Sequence, residues 1–227
     1  MPNRQTGFTL VEIAIVLVII GLLLGGVLKG QELINSAKVK NFAQDFRSVP
    51  LFIYGYQDKF KALPGDDAKA QEHLGSTAPL ATGTVGNGAI DGHWNDPTAT
   101  PTEAVIFWDH VRRANLASGP YPITKDADLP TNADGGRIGV QSAKPVSDMT
   151  GSYYVCSGAI QGKFAKQLDI TMDDGHTTTG PLRVGTWARH ALTQVAASAY
   201  RPITERRQHF SGDPRPRPNR HRDVGDN

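Results

Sequence analysis

Three groups of residues hold the chemistry available to this chain: a lone carboxylate in an apolar run, two loops dense in oxygen donors, and one thiol. Glu12 stands at the outer edge of a stretch that has no charged residue from Ile13 to Leu28. Counted back to Phe8, the stretch has about the twenty residues a helix needs to cross a bilayer. An ionised acid there costs roughly 2.5–3.5 kcal/mol on insertion scales, so Glu12 requires a partner of opposite charge. The oxygen-rich segments are the loop from Gly86 to Asp96, with Asn87, Asp91 and Asp96, and the segment holding Asp169, Asp173 and Asp174. Calcium takes six to eight oxygens from carboxylates, amides and carbonyls, which makes both segments candidate calcium sites. Neither has the D-x-[DN]-x-[DN]-G spacing of an EF-hand. Asn-Gly, Asp-Gly and Asn-Asp are also what tight turns require, and turn chemistry is the simpler reading of both.

Catalytic patterns are missing. His73, His93, His110, His176, His190, His209 and His221 show no H-E-x-x-H or similar metal spacing. No G-x-S-x-G elbow, P-loop or G-x-G-x-x-G fingerprint occurs. Asp109 and His110 are helical neighbours, and residues at i, i+1 do not face one another. Cys156 becomes a nucleophile only beside a histidine and an orienting group; a buried, inert thiol is the common state. No enzymatic activity is expected, and no cofactor other than calcium.

At 227 residues the chain suits one soluble domain plus an anchor helix. A net charge of +2 favours neither nucleic acid nor acidic substrates as partners. With the apolar run set aside, the rest is polar, and its 24 Gly and 15 Pro imply a loop-rich head. An exported domain usually pairs its cysteines, so the single Cys156 means an intermolecular bridge, a free thiol or a lost partner.

The string Gly7-Phe8-Thr9-Leu10-Val11-Glu12, followed at once by the apolar run, resembles the type IV prepilins and the pseudopilins of type II secretion. The match covers about 25 residues closely, and it is specific because the cleavage point precedes the apolar segment. The resemblance implies that prepilin peptidase cuts between Gly7 and Phe8 and that Phe8 is N-methylated. It also implies that Glu12 is retained at the fifth mature position, to neutralise the amine of Phe8 on a neighbouring subunit and set register. Partners so implied are the peptidase, other pilin or pseudopilin subunits and inner-membrane lipid, with the head in the periplasm. A disulfide near the C-terminus is common in such heads, and this chain cannot form one internally. A secretory signal peptide has a shorter apolar core and is cut after it, at a small-residue site that Lys29-Gly30-Gln31-Glu32 does not offer. A plain transmembrane anchor explains the apolar run but not the Gly-Phe junction, the placed Glu12 or the short leader. The alternative function is a membrane-anchored ligand- or DNA-binding module that never enters a filament.

These residues need elements to position them. Val39, Phe42, Phe46, Val49, Ile53, Tyr56, Phe60 and Leu63 recur at gaps of three and four, one apolar stripe on a helix that stops at Pro64-Gly65. The stripe keeps its phase through Pro50, which favours a kink over a break; Ser48 capping a second helix is the other reading. The expected organisation is a leader over 1–7, a transmembrane or filament-core helix over 8–28, an amphipathic helix over 29–63 and a head over 64–200. Thr100-Pro101-Thr102-Glu103 predicts a capping box opening an amphipathic helix to about Leu116. Gly151–Cys156 reads as a strand, with Gly139–Gln141 and Leu182–Val184 as weaker ones, and Phe164–Met172 has helical spacing. One long helix followed by strands and loops gives an α+β class, and the resemblance implies the same pilin-like ladle with a small antiparallel sheet on the helix. From Arg201 to Asn227 the chain is rich in proline and arginine and is expected to be disordered. Its arginines suit anionic lipid or DNA phosphates, although Glu205, Asp213, Asp223 and Asp226 dilute the charge and DNA is not the expected partner. An altered reading frame would also produce such an ending.

Overall fold

The computed structural model of the protein describes residues 9–188 and 191–194. The leader over 1–7, Phe8, and the tail from 201 lie outside the described residues. Helix α1 spans Leu10–Phe60, 51 residues without a break, and is about 75 Å long at 1.5 Å per residue. Pro50 sits inside it. The proline withdraws only the N–H that would reach the Phe46 carbonyl. Ser48 opens no second helix: its hydroxyl donates back to the Gln44 carbonyl at 2.8 Å, a bond made within a continuing helix. The helix stops three residues earlier than the apolar stripe predicts. Lys61 turns left-handed (φ 58°) and its N–H closes on the Gln57 carbonyl at 2.9 Å.

The two halves of α1 differ in burial, as their patterns require. No residue of its most apolar window is buried, and that window has a mean hydropathy of 2.8. By length and composition it can cross a membrane. Further along, Val39, Phe42, Val49, Ile53 and Tyr56 are buried at the expected spacing.

The head is built on that second half. Helices α2 (Ala70–Leu74), α3 (Glu103–Arg113) and α4 (Gly162–Met172) are joined by two antiparallel strand pairs. Strands β1 (Ile138–Gln141) and β2 (Tyr154–Ser157) pair with Val140 opposite Val155; β3 (Gly185–Ala188) pairs with β4 (Ala191–Gln194). The class is α+β, as the sequence predicts. Within the described residues the sheet is two separate hairpins rather than one surface. The main core joins Val49 and Ile53 of α1 to Phe107, Trp108 and Val111 of α3 and to Ile138 and Val140 of β1. A second cluster packs Val39, Phe42 and Ala43 against Phe164 and Leu168 of α4.

Three local expectations fail for identifiable reasons. The capping box at Thr100–Glu103 does not form: Thr102 is the N-cap, with no side-chain cap bond. Glu103 instead accepts from the Asp91 N–H at 2.7 Å, a tertiary contact that outcompetes the local one. Helix α3 also ends at Arg113 and is buried on nearly every face, not one, because it is enclosed by α1, α2 and β1. Leu182–Val184 is not a strand; pairing begins at Gly185. Gly65 links α1 to α3 at φ 94°, and a side chain there would lie 2.5 Å from the Glu103 carbonyl oxygen.

Candidate functional site

The opening turn of α1 is closed by two residues that also stand at the edge of the apolar run. Thr9 is the N-cap: its hydroxyl oxygen accepts from the Glu12 N–H at 3.2 Å. In return one Glu12 oxygen, Oε2, accepts from the Thr9 N–H at 2.7 Å and from the Thr9 hydroxyl at 2.8 Å. This is a reciprocal capping box, which satisfies helix-end donors that have no intrahelical partner. The second oxygen of Glu12 meets no donor among the described residues, and the side chain is exposed. Glu12 can therefore hold its own helix end and still accept a charge from outside. The role of Thr9 escaped the sequence reading, although Thr9-x-x-Glu12 before an apolar run is the signal for it. Gly7 and Phe8, the expected cleavage pair, lie outside the described residues.

Beyond Glu12, the helix surface from Leu10 to Leu28 is bare. Leu10, Leu22 and Leu28 are more than 70% exposed. Apolar surface of that extent is incompatible with water and requires lipid or other apolar helices.

The first oxygen-rich loop is consumed by its own turns. Asn87 donates to Asp91 at 2.9 Å, and its carbonyl oxygen accepts from the Ala89 N–H. Asp96 accepts from the His93 N–H at 2.8 Å. The organiser of this loop is a residue the sequence did not single out: Asp66, whose carboxylate accepts from the N–H groups of Gly86, Asn87 and Gly88. Glu103 lies against Asp66 and Asp91, and burial, then those charges, push its carboxyl up to about 7 despite the bond from Asp91.

The second segment behaves differently. Side-chain oxygens of Asp169, Asp173 and Asp174 lie within 4.8 Å of one another.

The candidate catalytic groups are structurally occupied. His110 accepts from the Gly65 N–H at its Nδ1 (3.0 Å), which leaves Nε2 to donate to the Pro79 carbonyl at 2.9 Å. Burial also lowers its pKa, so the imidazole is neutral. Asp109 faces elsewhere, toward Arg113 and the Ile123 N–H. Burial pushes the Cys156 thiol up to about 12, far from a thiolate. It borders a groove of about 1190 Å³ between α1, β2 and α4, where the charged pair Asp148 and Arg183 bind each other at 3.2 Å.

The prokaryotic N-terminal methylation motif matches residues 2–28, a span that includes Gly7, Phe8, Thr9 and Glu12. No curated protein and no solved structure matches the chain.

Proposed function

We propose that this chain, which carries the type IV prepilin signature at its N-terminus, is a structural subunit of a type IV pilus or type II secretion pseudopilus. Prepilin peptidase cleaves between Gly7 and Phe8, and Phe8 becomes the methylated N-terminus. Before assembly the segment from Phe8 to Leu28 holds the chain in the inner membrane, with the head in the periplasm. Arg4 on the leader side agrees with a cytoplasmic leader. In the filament the same surface meets copies of itself or of sister subunits.

The observation that carries this reading is the pairing of a bare apolar helix with one carboxylate that its own chain only half uses. A neighbouring Phe8 amine against Glu12 relieves the cost of burying each charge. Its net contribution to stability is small, but it admits a single axial offset and so sets register.

Co-fractionation tests the proposal. The processed chain is expected in sheared filaments or in an envelope assembly with other subunits, and to leave that fraction when prepilin peptidase is deleted. A processed chain that stays monomeric in the membrane contradicts it, and would favour an anchored binding module.

A further inference from the structure

Asp169 is fully buried, yet neither of its carboxylate oxygens meets a hydrogen-bond donor among the described residues. Buried polar groups are almost always paired, and an unpaired carboxylate is among the costliest exceptions. Its surroundings add to the problem. Asp173 and Asp174 bring their carboxylates within 4.8 Å of it, so three acids converge on one point at the end of α4.

The two outer acids are held in place by the chain that follows. Asp173 accepts from the Leu182 N–H at 2.7 Å. Asp174 accepts from the His176 N–H and the Thr179 hydroxyl, each at 2.7 Å. Gly180 passes so close to the Asp173 carboxylate that any side chain there would collide with it, and its φ is 70°. The cations at hand make no ion pair with Asp169 among the described residues. The Arg183 guanidinium donates to the Gly180 carbonyl and to Asp148. His176 is exposed, with Nδ1 3.8 Å from Asp174 rather than against Asp169.

We infer that Asp169, Asp173 and Asp174 form a binding site for a hard divalent cation of the calcium class. Each acid keeps lone pairs beyond those its neighbours use, because a carboxylate offers about four acceptor positions. All the side-chain donors are oxygens, which selects against zinc and copper. One buried ligand, one partly covered and one exposed leave an open side for water, an arrangement calcium accepts and magnesium, which demands near-octahedral geometry, does not favour. The bound cation would tie the last turn of α4 to the segment through Gly180 and Leu182. This inference does not depend on the filament reading.

The rival state is a protonated Asp169 with no ion, toward which burial and the charges of Asp173 and Asp174 push its carboxyl. The full chain in detergent, stripped with EGTA, separates the two by calorimetric titration with calcium chloride and by melting. One saturable calcium site is expected, with Tm raised by roughly 5–10 °C at a hundredfold excess over Kd, and a smaller shift with magnesium. Asp169→Asn preserves shape and should abolish the calcium shift. Asp174→Asn, on the surface, should weaken it and decides the matter if the first variant does not fold. Identical melting in calcium and EGTA overturns the proposal, as does a calcium shift that survives both substitutions.

Discussion

Glu12 Oε2 accepts two hydrogen bonds from Thr9, at 2.7 and 2.8 Å, while Oε1 accepts none among the described residues. One carboxylate thus closes the helix end and presents a free, anionic oxygen beside the apolar surface that has to find partners. The cap and the charge can be separated by substitution. Glu12→Gln retains an oxygen for Thr9 but loses the charge; Glu12→Ala loses both, while the Thr9 hydroxyl still accepts from the N–H of residue 12. Both variants should insert in the membrane normally. Both should fail to enter filaments to a similar extent, measured in sheared fractions. Normal incorporation of Glu12→Gln would reduce Glu12 to its capping role.

Tyr56 links α1 to the loop after it through its hydroxyl, which donates to Asp67 at 2.8 Å. Burial raises the Asp67 carboxyl, but bonds from His73, Tyr56 and the Lys69 N–H outweigh it and leave the pKa depressed. A depressed carboxyl contributes stability above its unfolded value and loses it as pH falls through the folded one. Tyr56→Phe should therefore destabilise by about 1–3 kcal/mol near neutral pH, with a smaller effect in acid. Denaturant melts at pH 7 and pH 3 provide the check; an equal loss at both would remove Asp67 from the explanation.

Glu103 shows the opposite sign. Its carboxyl rises from 4.5 to about 7, so the folded state holds a proton that the unfolded chain releases. Stability is fully present below pH 4.5 as far as this group is concerned, and declines as pH climbs to about 7. Glu103→Gln, which mimics the protonated form, should flatten that decline, worth on the order of 2 kcal/mol. An unchanged pH profile in the variant would assign the decline elsewhere.

Much of this arrangement was legible in the sequence, and the failures have a common cause. The apolar run and the three-four stripe specify α1 locally, because residues one turn apart share a face whatever the head does. The strand at Tyr154 and the helix at Phe164 follow from composition and spacing in the same way. Glu103 was misread because the amide of Asp91 competes for it from twelve residues away. Asp66 was invisible for the same reason: its amide partners lie about twenty residues on. The acids at 169, 173 and 174 could be flagged by density. Only the return of the chain through Gly180 and Leu182, which no local pattern encodes, separates them from the loop at Asn87, whose oxygens serve turns.

The contact of Phe42 with Phe164, ring centres 6.2 Å apart, joins α4 to the long helix. Phe42 is fully buried, so Phe42→Ala should cost about 3–5 kcal/mol. Amide exchange should accelerate in α4 before it does in α3, whose core is the separate cluster around Phe107. Uniform acceleration across the head would mean that the two clusters unfold as one unit.

The most direct measurement is the intact mass of the chain extracted from membranes of cells with active prepilin peptidase. A single species beginning at Phe8, heavier than the bare cleavage product by one methyl group, is the expected result. A species that retains Met1–Gly7 in those cells would contradict the assignment of this chain as a prepilin-type subunit.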